Sequence, residues 1–273
     1  MSTVVVPPVP PQPPAPPASP EWRLWHTLAS VAIVAAIVGL AIWAATSKTL
    51  VKDLDGHLPV WTFLALIALL ASFAVLMGWG ITGHVAGLLM DPKKGRRMSL
   101  SRLQVLAWTF LVLAAYLNAF IVNISAGRAN PLEVSIPGEL LIAMGISIGS
   151  LLGTKIVLGY KQDQHGIVLG PADAVPLTVA SDATLRSAVY KAPVAQWRDV
   201  FEGDTAEGVG SLDLSKVQMF YITVALVLGY GIAVASGFAH SESGIGSLPQ
   251  LDQAFVALLA ISHAGYLTSK AAS

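Results

Sequence analysis

The chain has 273 residues, 54% of them hydrophobic and only 12% charged, with sixteen basic and sixteen acidic side chains. Charge in a soluble domain is nearer about a quarter of all residues, so an ordinary water-soluble fold is excluded. The absence of cysteine excludes disulfides, thiolate chemistry and Cys-based metal sites.

Residues 1–22 read as a disordered, Pro-rich cytoplasmic leader. Positions 7–20 hold nine of the seventeen prolines, and such a run favours extended polyproline II and builds no core. Pro8 and Pro11 fit P-x-x-P, a ligand for an aromatic groove; a stiff tether accounts for the same composition. The first apolar run is too long for the core of a signal peptide and lacks a basic flank, so it reads as an uncleaved signal anchor.

Residues 23–98 form the first transmembrane hairpin and a basic loop, with spans near 24–46 and 58–82. Trp25 with His26 and Trp43 stand near the two ends of the first span, where aromatic belts occur. Residues 85–90 lie beyond a span's length and are either continuing helix or an interfacial segment. His84 is a pH-sensitive candidate, but a headgroup-zone position explains it equally. Residues 91–97, D-P-K-K-G-R-R, carry the charge that topology and anionic lipid demand at a membrane edge, so no nucleic-acid partner is expected.

A hairpin follows that occurs twice, at 99–160 and 213–273, on either side of a cytoplasmic linker at 161–212. With an offset of 114, Leu100 meets Leu214, Ser101 meets Ser215, Gln104 meets Gln218, Thr109 meets Thr223 and Tyr116 meets Tyr230. After a one-residue slip, Ser147 meets Ser262 and Lys155 meets Lys270. Ser99 or Ser101 in one copy, and Asp213 or Ser215 in the other, are candidate helix caps. Spans are expected near 103–126, 137–159, 217–238 and 249–269, six in all, with Lys155 snorkelling to the interface. In the linker, 177–180 suggests a short strand, and Val194, Trp197, Val200 and Phe201 mark one face of a short helix whose Trp197 and Phe201 can insert at the membrane surface. Asp199, Glu202, Asp204 and Glu207 lack EF-hand spacing and read as a solvated acidic loop.

The fold class is therefore all-α integral membrane: six transmembrane helices, two of the hairpins being tandem parallel repeats. Thirteen basic residues fall on the side of the 91–97 loop, and only Lys48, Lys52 and Arg128 on the other. The positive-inside rule then puts both termini in the cytoplasm. An even number of crossings separates the two hairpins, so they share one orientation.

Arg102, Thr109, Tyr116 and Asn123 recur every seven residues on one helix, and Lys216, Thr223 and Tyr230 on its copy. This stripe lines a polar path or makes interhelical hydrogen bonds; the small measured worth of such bonds favours the second. The functional candidates in the membrane are Gln104, Tyr116, Gln218, Tyr230 and His263, the last being the one histidine well inside a span. Gly145, Gly149 and Gly153 recur every four residues, matched by Ala260 and Ala264 in the copy, as a helix-packing seam within the chain or between copies in a homo-oligomer. No H-E-x-x-H, G-x-S-x-G or P-loop is present, so catalytic residues, cofactor and metal are all expected to be none.

Several stretches, G-L-L-M-D-P-K-K-G-R-R-M-S-L-S-R-L-Q-V-L-A-W-T, P-G-E-L-L-I-A-M-G-I-S, W-R-D-V-F-E-G-D, L-D-L-S-K-V-Q-M-F and A-L-L-A-I-S-H-A-G-Y-L, cover roughly 83–270. In them the chain resembles a family of uncharacterised bacterial multipass membrane proteins. That resemblance implies a bacterial inner membrane and about six helices, and carries no site residues. The expected function is a non-enzymatic inner-membrane scaffold or anchor that binds protein partners through its cytoplasmic segments. The alternative is a channel or transporter with a polar path between the repeats.

Overall fold

Uninterrupted apolar runs with few breakers become helices because a helix satisfies every interior backbone group within one segment. The computed structural model describes residues 22–46, 57–91, 97–165, 195–203, 211–241 and 243–272, without the side chains of 44–45, 153–165 and 269–272. The Pro-rich leader, the strand expected at 177–180, and Asp204 and Glu207 lie outside the described residues. In chain order come α1 (Leu24–Thr46), α2 (His57–Thr82), β1 (Met90–Asp91), β2 (Arg97–Met98), α3 (Leu100–Ser125), α4 (Gly138–His165), α5 (Leu214–Ala239) and α6 (Gln253–Ala272).

Four of these helices, α1, α2, α3 and α5, are long and apolar enough to cross a membrane; α4 and α6 carry shorter apolar stretches, Gly138–Leu152 and Gln253–Thr268. A helix of 26 residues such as α3 measures about 39 Å at 1.5 Å per residue, more than the hydrocarbon core requires. On α1, Leu24, Leu28, Val31, Val34, Val38 and Ile42 are all exposed. Water would not tolerate so continuous an apolar face, whereas lipid tails do.

At the centre stands α3, touched by α1, α2, α4 and α5. Its Ala114, Ala115 and Ala119 are completely buried, and such small residues let several helices approach one backbone. Around them pack Phe63 and Leu66 of α2, Leu140 of α4, Leu226, Tyr230, Val234 and Phe238 of α5, and Leu259 of α6. The other principal pairings are α1 with α2, α4 with α6, and α5 with α6.

One end of the bundle, here the hairpin end, is built by the chain turning back after α2. Gly83, at φ 75°, stops the helix in the left-handed region that glycine adopts most readily. A short 3-10 turn at Gly87–Leu89 then crosses back over α2. Gly78 and Gly87 touch backbone to backbone: a Cβ on Gly78 would stand 2.8 Å from the Leu88 nitrogen. Residues 85–90 thus fold back as a separate segment, not a continuation of the helix, and they lead into β1, whose Met90 and Asp91 pair antiparallel with Met98 and Arg97 of β2. At this end Trp25 of α1 meets Trp79 of α2 edge-on at 5.2 Å. Trp43 and Trp61 stand, exposed, at the opposite end of the same two helices.

Helix starts follow the duplicated motif unequally. Asp213 caps α5, its carboxylate accepting from the Ser215 and Lys216 amides at 3.0 and 3.3 Å. Ser99 holds the same place before α3 in an extended conformation, but its hydroxyl makes no capping bond. Both helices begin three residues earlier than the apolar runs, because the turn carrying Ser, Arg or Lys is already helical.

Candidate functional site

Two arrangements at the hairpin end, and one at the opposite end, bring together polar side chains from distant parts of the described chain. The first is a clasp between segments about a hundred positions apart. Residues 195–203 carry a 3-10 turn, Trp197–Val200, opened by a capping box in which Gln196 and Asp199 exchange bonds. Asp199, almost buried, accepts from the Gln196 amide at 2.9 Å and from the Met98 amide at 3.4 Å, and stands 3.8 Å from the Arg97 Nε. The Arg97 guanidinium also forms an ion pair with Glu202.

From the other side, the buried Lys216 Nζ donates to the Glu202 carbonyl at 2.5 Å, and the Asp213 amide donates to the Phe201 carbonyl at 2.8 Å. Phe201 lies edge-on to Phe220 of α5 at 5.1 Å, while Val200 packs with Met98, Leu100, Met219 and Tyr266. Arg102 closes the same end, 3.8 Å from Asp91 and donating to the Leu88 carbonyl at 3.4 Å. Asp199 and Glu202 are therefore not part of a solvated acidic loop. They are the counter-ions of the basic hairpin, out of water where removing one partner of an ion pair costs more than at a surface. Phe201 faces the protein, and Trp197 faces outward at 62% exposure.

The second arrangement is a buried polar layer one to two turns further in. Tyr266 packs at the level of Leu100 and Met219, and Leu259 at the level of Trp108 and Leu226. Between those two levels the three helices place Gln104 on α3, Thr223 on α5, and Ser262 and His263 on α6. The Gln104 Nε2 donates to the Thr223 Oγ1 at 2.5 Å, and that hydroxyl donates on to the Met219 carbonyl at 2.8 Å.

His263 is 3% exposed, with Nδ1 2.8 Å from the Leu259 carbonyl. A carbonyl only accepts, so Nδ1 carries the proton, and in the neutral ring Nε2 is left with a free lone pair. The Gln104 Oε1, the His263 Nε2 and the Ser262 Oγ have no hydrogen-bond partner among the described residues. Two acceptors and a hydroxyl thus stand unpaired in an interior where an unmet polar group is costly.

The opposite end is fastened by Asn123 of α3. Its amide donates to the Pro131 and Ile245 carbonyls at 3.0 and 2.8 Å and accepts from the Ile245 nitrogen at 2.6 Å, joining the α3–α4 loop to the α5–α6 loop. Ser135 and Ser247 pair there as a parallel bridge, the Ser135 amide donating to Gly246 and its carbonyl accepting from Leu248. The bridge joins two like triplets, S-I-P and S-L-P. An open cleft of about 220 Å³ beside it is lined by Val234, Gly237, Phe238, Ile245, Ser247 and Leu248.

The expected site residues separate. Gln104 and His263 fall in one layer. Tyr230 lies elsewhere, its hydroxyl donating to the Pro249 carbonyl at 3.2 Å, and Tyr116 stacks edge-on against Phe120 at 4.3 Å. Gln218 is exposed on the outer face of α5. Along the seven-residue stripe, Thr109 bonds back to the Val105 carbonyl at 2.7 Å, and Arg102 and Asn123 serve the two ends. Nor do Gly145 and Gly149 pack within the chain. Both face outward with nothing within 4 Å of an added Cβ, and the buried line of α4 is Leu140, Ala143, Ser147 and Ser150. Ala264 also faces outward and Ala260 is half-buried; the surroundings of Gly153 lie outside the described residues.

The clasp was missed because an acidic stretch carries no mark of its distant partner. Asn118 was missed because it falls off the seven-residue stripe; it donates to the Pro59 carbonyl at 3.0 Å and accepts from Thr62 at 2.7 Å, locking α2 to α3. The only visible signal was an asparagine inside an otherwise apolar span. No group of three or more His, Cys, Asp or Glu residues suited to a metal occurs among the described residues. Compared with protein-family models, curated proteins and solved structures, the chain matches none.

Proposed function

We propose that the chain is a scaffold or anchor of a bacterial inner membrane, crossing it six times with both termini in the cytoplasm and binding protein partners through its cytoplasmic segments. The observation that carries this reading is that the two hairpins, 99–160 and 213–273, are fastened together at both ends, at one of them through the residues that lead into the first. At one end Arg97 and Lys216 grip the 195–203 segment between them; at the other Asn123 and the Ser135–Ser247 bridge join the loops. A transporter of this kind of architecture works by rocking one repeat against the other. Tethers at both ends oppose that motion and suit a rigid platform. The core of α3 between the tethers is closed, with Trp108, Ala114 and Ala115 at most 1% exposed.

Six crossings, as opposed to four, are supported by the length of α4, 28 residues, about 42 Å at 1.5 Å per residue, and by the side-by-side packing of α4 with α6. The parallel relation of the repeats is supported by the parallel pairing of the equivalent S-x-P triplets. A second reading, a channel or transporter, is favoured by one observation: the unpaired acceptors of Gln104 and His263 in a shared layer. Cross-linking in native membranes followed by affinity capture separates the two readings. The scaffold predicts discrete protein partners lost on deleting 195–203, with no solute flux in reconstituted vesicles. Flux abolished by His263→Ala in a folded protein would overturn it.

A further inference from the structure

The clasp has an outer face that its internal chemistry leaves over. Its carboxylates, Asp199 and Glu202, turn inward to Arg97. What remains outside, among the described residues, is Gln196, Trp197 and Arg198, with Leu212, bridged to Glu202, and Leu214 at 70% and 74% exposure. Leu214 opens α5, whose outward line continues through Tyr221, Leu228 and Ile232, all exposed. The apolar surface of the clasp is thus continuous with the face that a membrane-crossing α5 gives to lipid.

The level of this face is fixed independently. Trp22 just before α1, Trp25 on α1 and Trp79 on α2, each between 41% and 44% exposed, stand at the same end, and half-exposed indoles gathered at one end of a bundle mark the headgroup zone. Trp197 joins them from a segment that is not itself a membrane helix.

We propose that residues 195–203 with Leu212 form an interfacial collar that inserts Trp197 at the headgroup–acyl boundary and presents Arg198 to the phosphates of anionic phospholipid. Neutralising the two carboxylates from inside is what permits the approach. Free, they would repel an anionic surface; paired with Arg97, they leave Arg198 as the exposed charge of the described segment, next to the indole in sequence. The occupant is a lipid surface, and the inference requires only that the helices cross a membrane; it does not need the scaffold reading.

The chain has no cysteine, so single spin-label sites are clean. Trp197→Cys, Leu212→Cys, Phe201→Cys and Leu228→Cys are each labelled with a nitroxide in the full chain. The proteins are reconstituted in vesicles of phosphatidylcholine, with or without a quarter of phosphatidylglycerol, and relaxation by oxygen is compared with relaxation by a water-soluble nickel chelate. Labels at 197 and 212 should respond to oxygen more than to nickel, at a depth shallower than the Leu228 label. The immersion at 197 should deepen with phosphatidylglycerol, and Arg198→Glu should remove that increase. A label at 201 should be shielded from both reagents.

Nickel dominating at both 197 and 212 would place the collar in water and overturn the proposal. Shielding of both from both reagents would mean that protein covers the face, and would overturn it equally. Equal immersion with and without phosphatidylglycerol would remove the anionic specificity. If the Leu228 label itself were water-exposed, membrane crossing by α5 would be what had failed, so the two failures are distinguishable.

Discussion

Asn123 and Gln104 lie on the same helix, both fully buried, yet their amides have opposite consequences. Asn123 satisfies backbone groups of two loops, so Asn123→Ala strands a donor and two acceptors at once. Each such loss costs about 1–3 kcal/mol, and a fall in detergent melting temperature of several degrees is expected. Gln104 gives up one bond to Thr223, which keeps its own to Met219, and carries an unpaired Oε1 besides. Gln104→Leu removes that unmet acceptor and should melt within about 1 kcal/mol of the wild type, as exchanging a poorly satisfied polar group for an apolar one of similar shape usually does. Arg97→Ala is the third case. It takes the guanidinium away from Asp199 and Glu202 in a mostly buried site, where losing one partner of an ion pair costs about 3–5 kcal/mol when burial is complete. With the Arg97 side chain 16% exposed, about 1–3 kcal/mol is expected after discounting for solvent screening. The clasp then opens locally, so trypsin cleavage after Arg198 should accelerate while α3 and α5 stay helical by circular dichroism.

The helices themselves were legible in the sequence, since four long apolar runs and two shorter ones leave few alternatives. Their faces were legible only in part. A small-residue pattern such as that of α4 says that one side can approach a neighbour closely, without saying which neighbour. The structure turns Gly145 and Gly149 away from α6 and buries Ala143, Ser147 and Ser150 instead. Gly149→Leu should therefore leave the thermal melt of the single chain unchanged, and a change in apparent mass in native-gel or light-scattering measurements would assign the seam to contacts between copies. Gly87→Ala should behave in the contrary way. The returning chain meets the backbone of Gly78 and the Thr82 hydroxyl there, so a methyl group forces α2 and the 3-10 turn apart. Overpacking of this sort costs about 1–3 kcal/mol, readable as a lower melt. The Gln104–Gln218 asymmetry belongs to this scale as well. The duplicated motif predicts like environments, but Gln104 is fully buried on α3, which α1, α2, α4 and α5 all touch, whereas Gln218 is exposed on α5.

For the whole molecule, the testable statement is orientation. The thirteen-to-three distribution of Lys and Arg predicts that a cysteine at Ala195 stays unlabelled by an impermeant maleimide in intact cells, while cysteines at Ala129 and Ser243, in the loops of the opposite end, are labelled. Labelling at Ala195 alone would invert the map. Long-range pairing is what the sequence kept hidden at this scale. The bond from Arg97 to Glu202 spans 105 positions and that from Asn123 to Ile245 spans 122, and each becomes visible only once the helices are side by side. The duplicated S-x-P triplet was printed in the sequence all along, displaced by three residues from the register that aligns α4 with α6.

The tryptophans of α1 and α2 carry a last consequence. Trp25 and Trp43 are eighteen residues apart, as are Trp61 and Trp79, a rise of about 27 Å at 1.5 Å per residue. Two neighbouring helices therefore measure the same hydrocarbon thickness twice. A single helix meets a thicker or thinner bilayer by tilting; this pair, joined by the Trp25–Trp79 contact, must tilt together or break that contact. Mismatch costs a fraction of a kcal/mol per Å, so a membrane-crossing pair of this kind ties the protein's stability to acyl-chain length. It should be most stable in lipids whose hydrocarbon layer is near about 27 Å, and should lose stability on either side of that length.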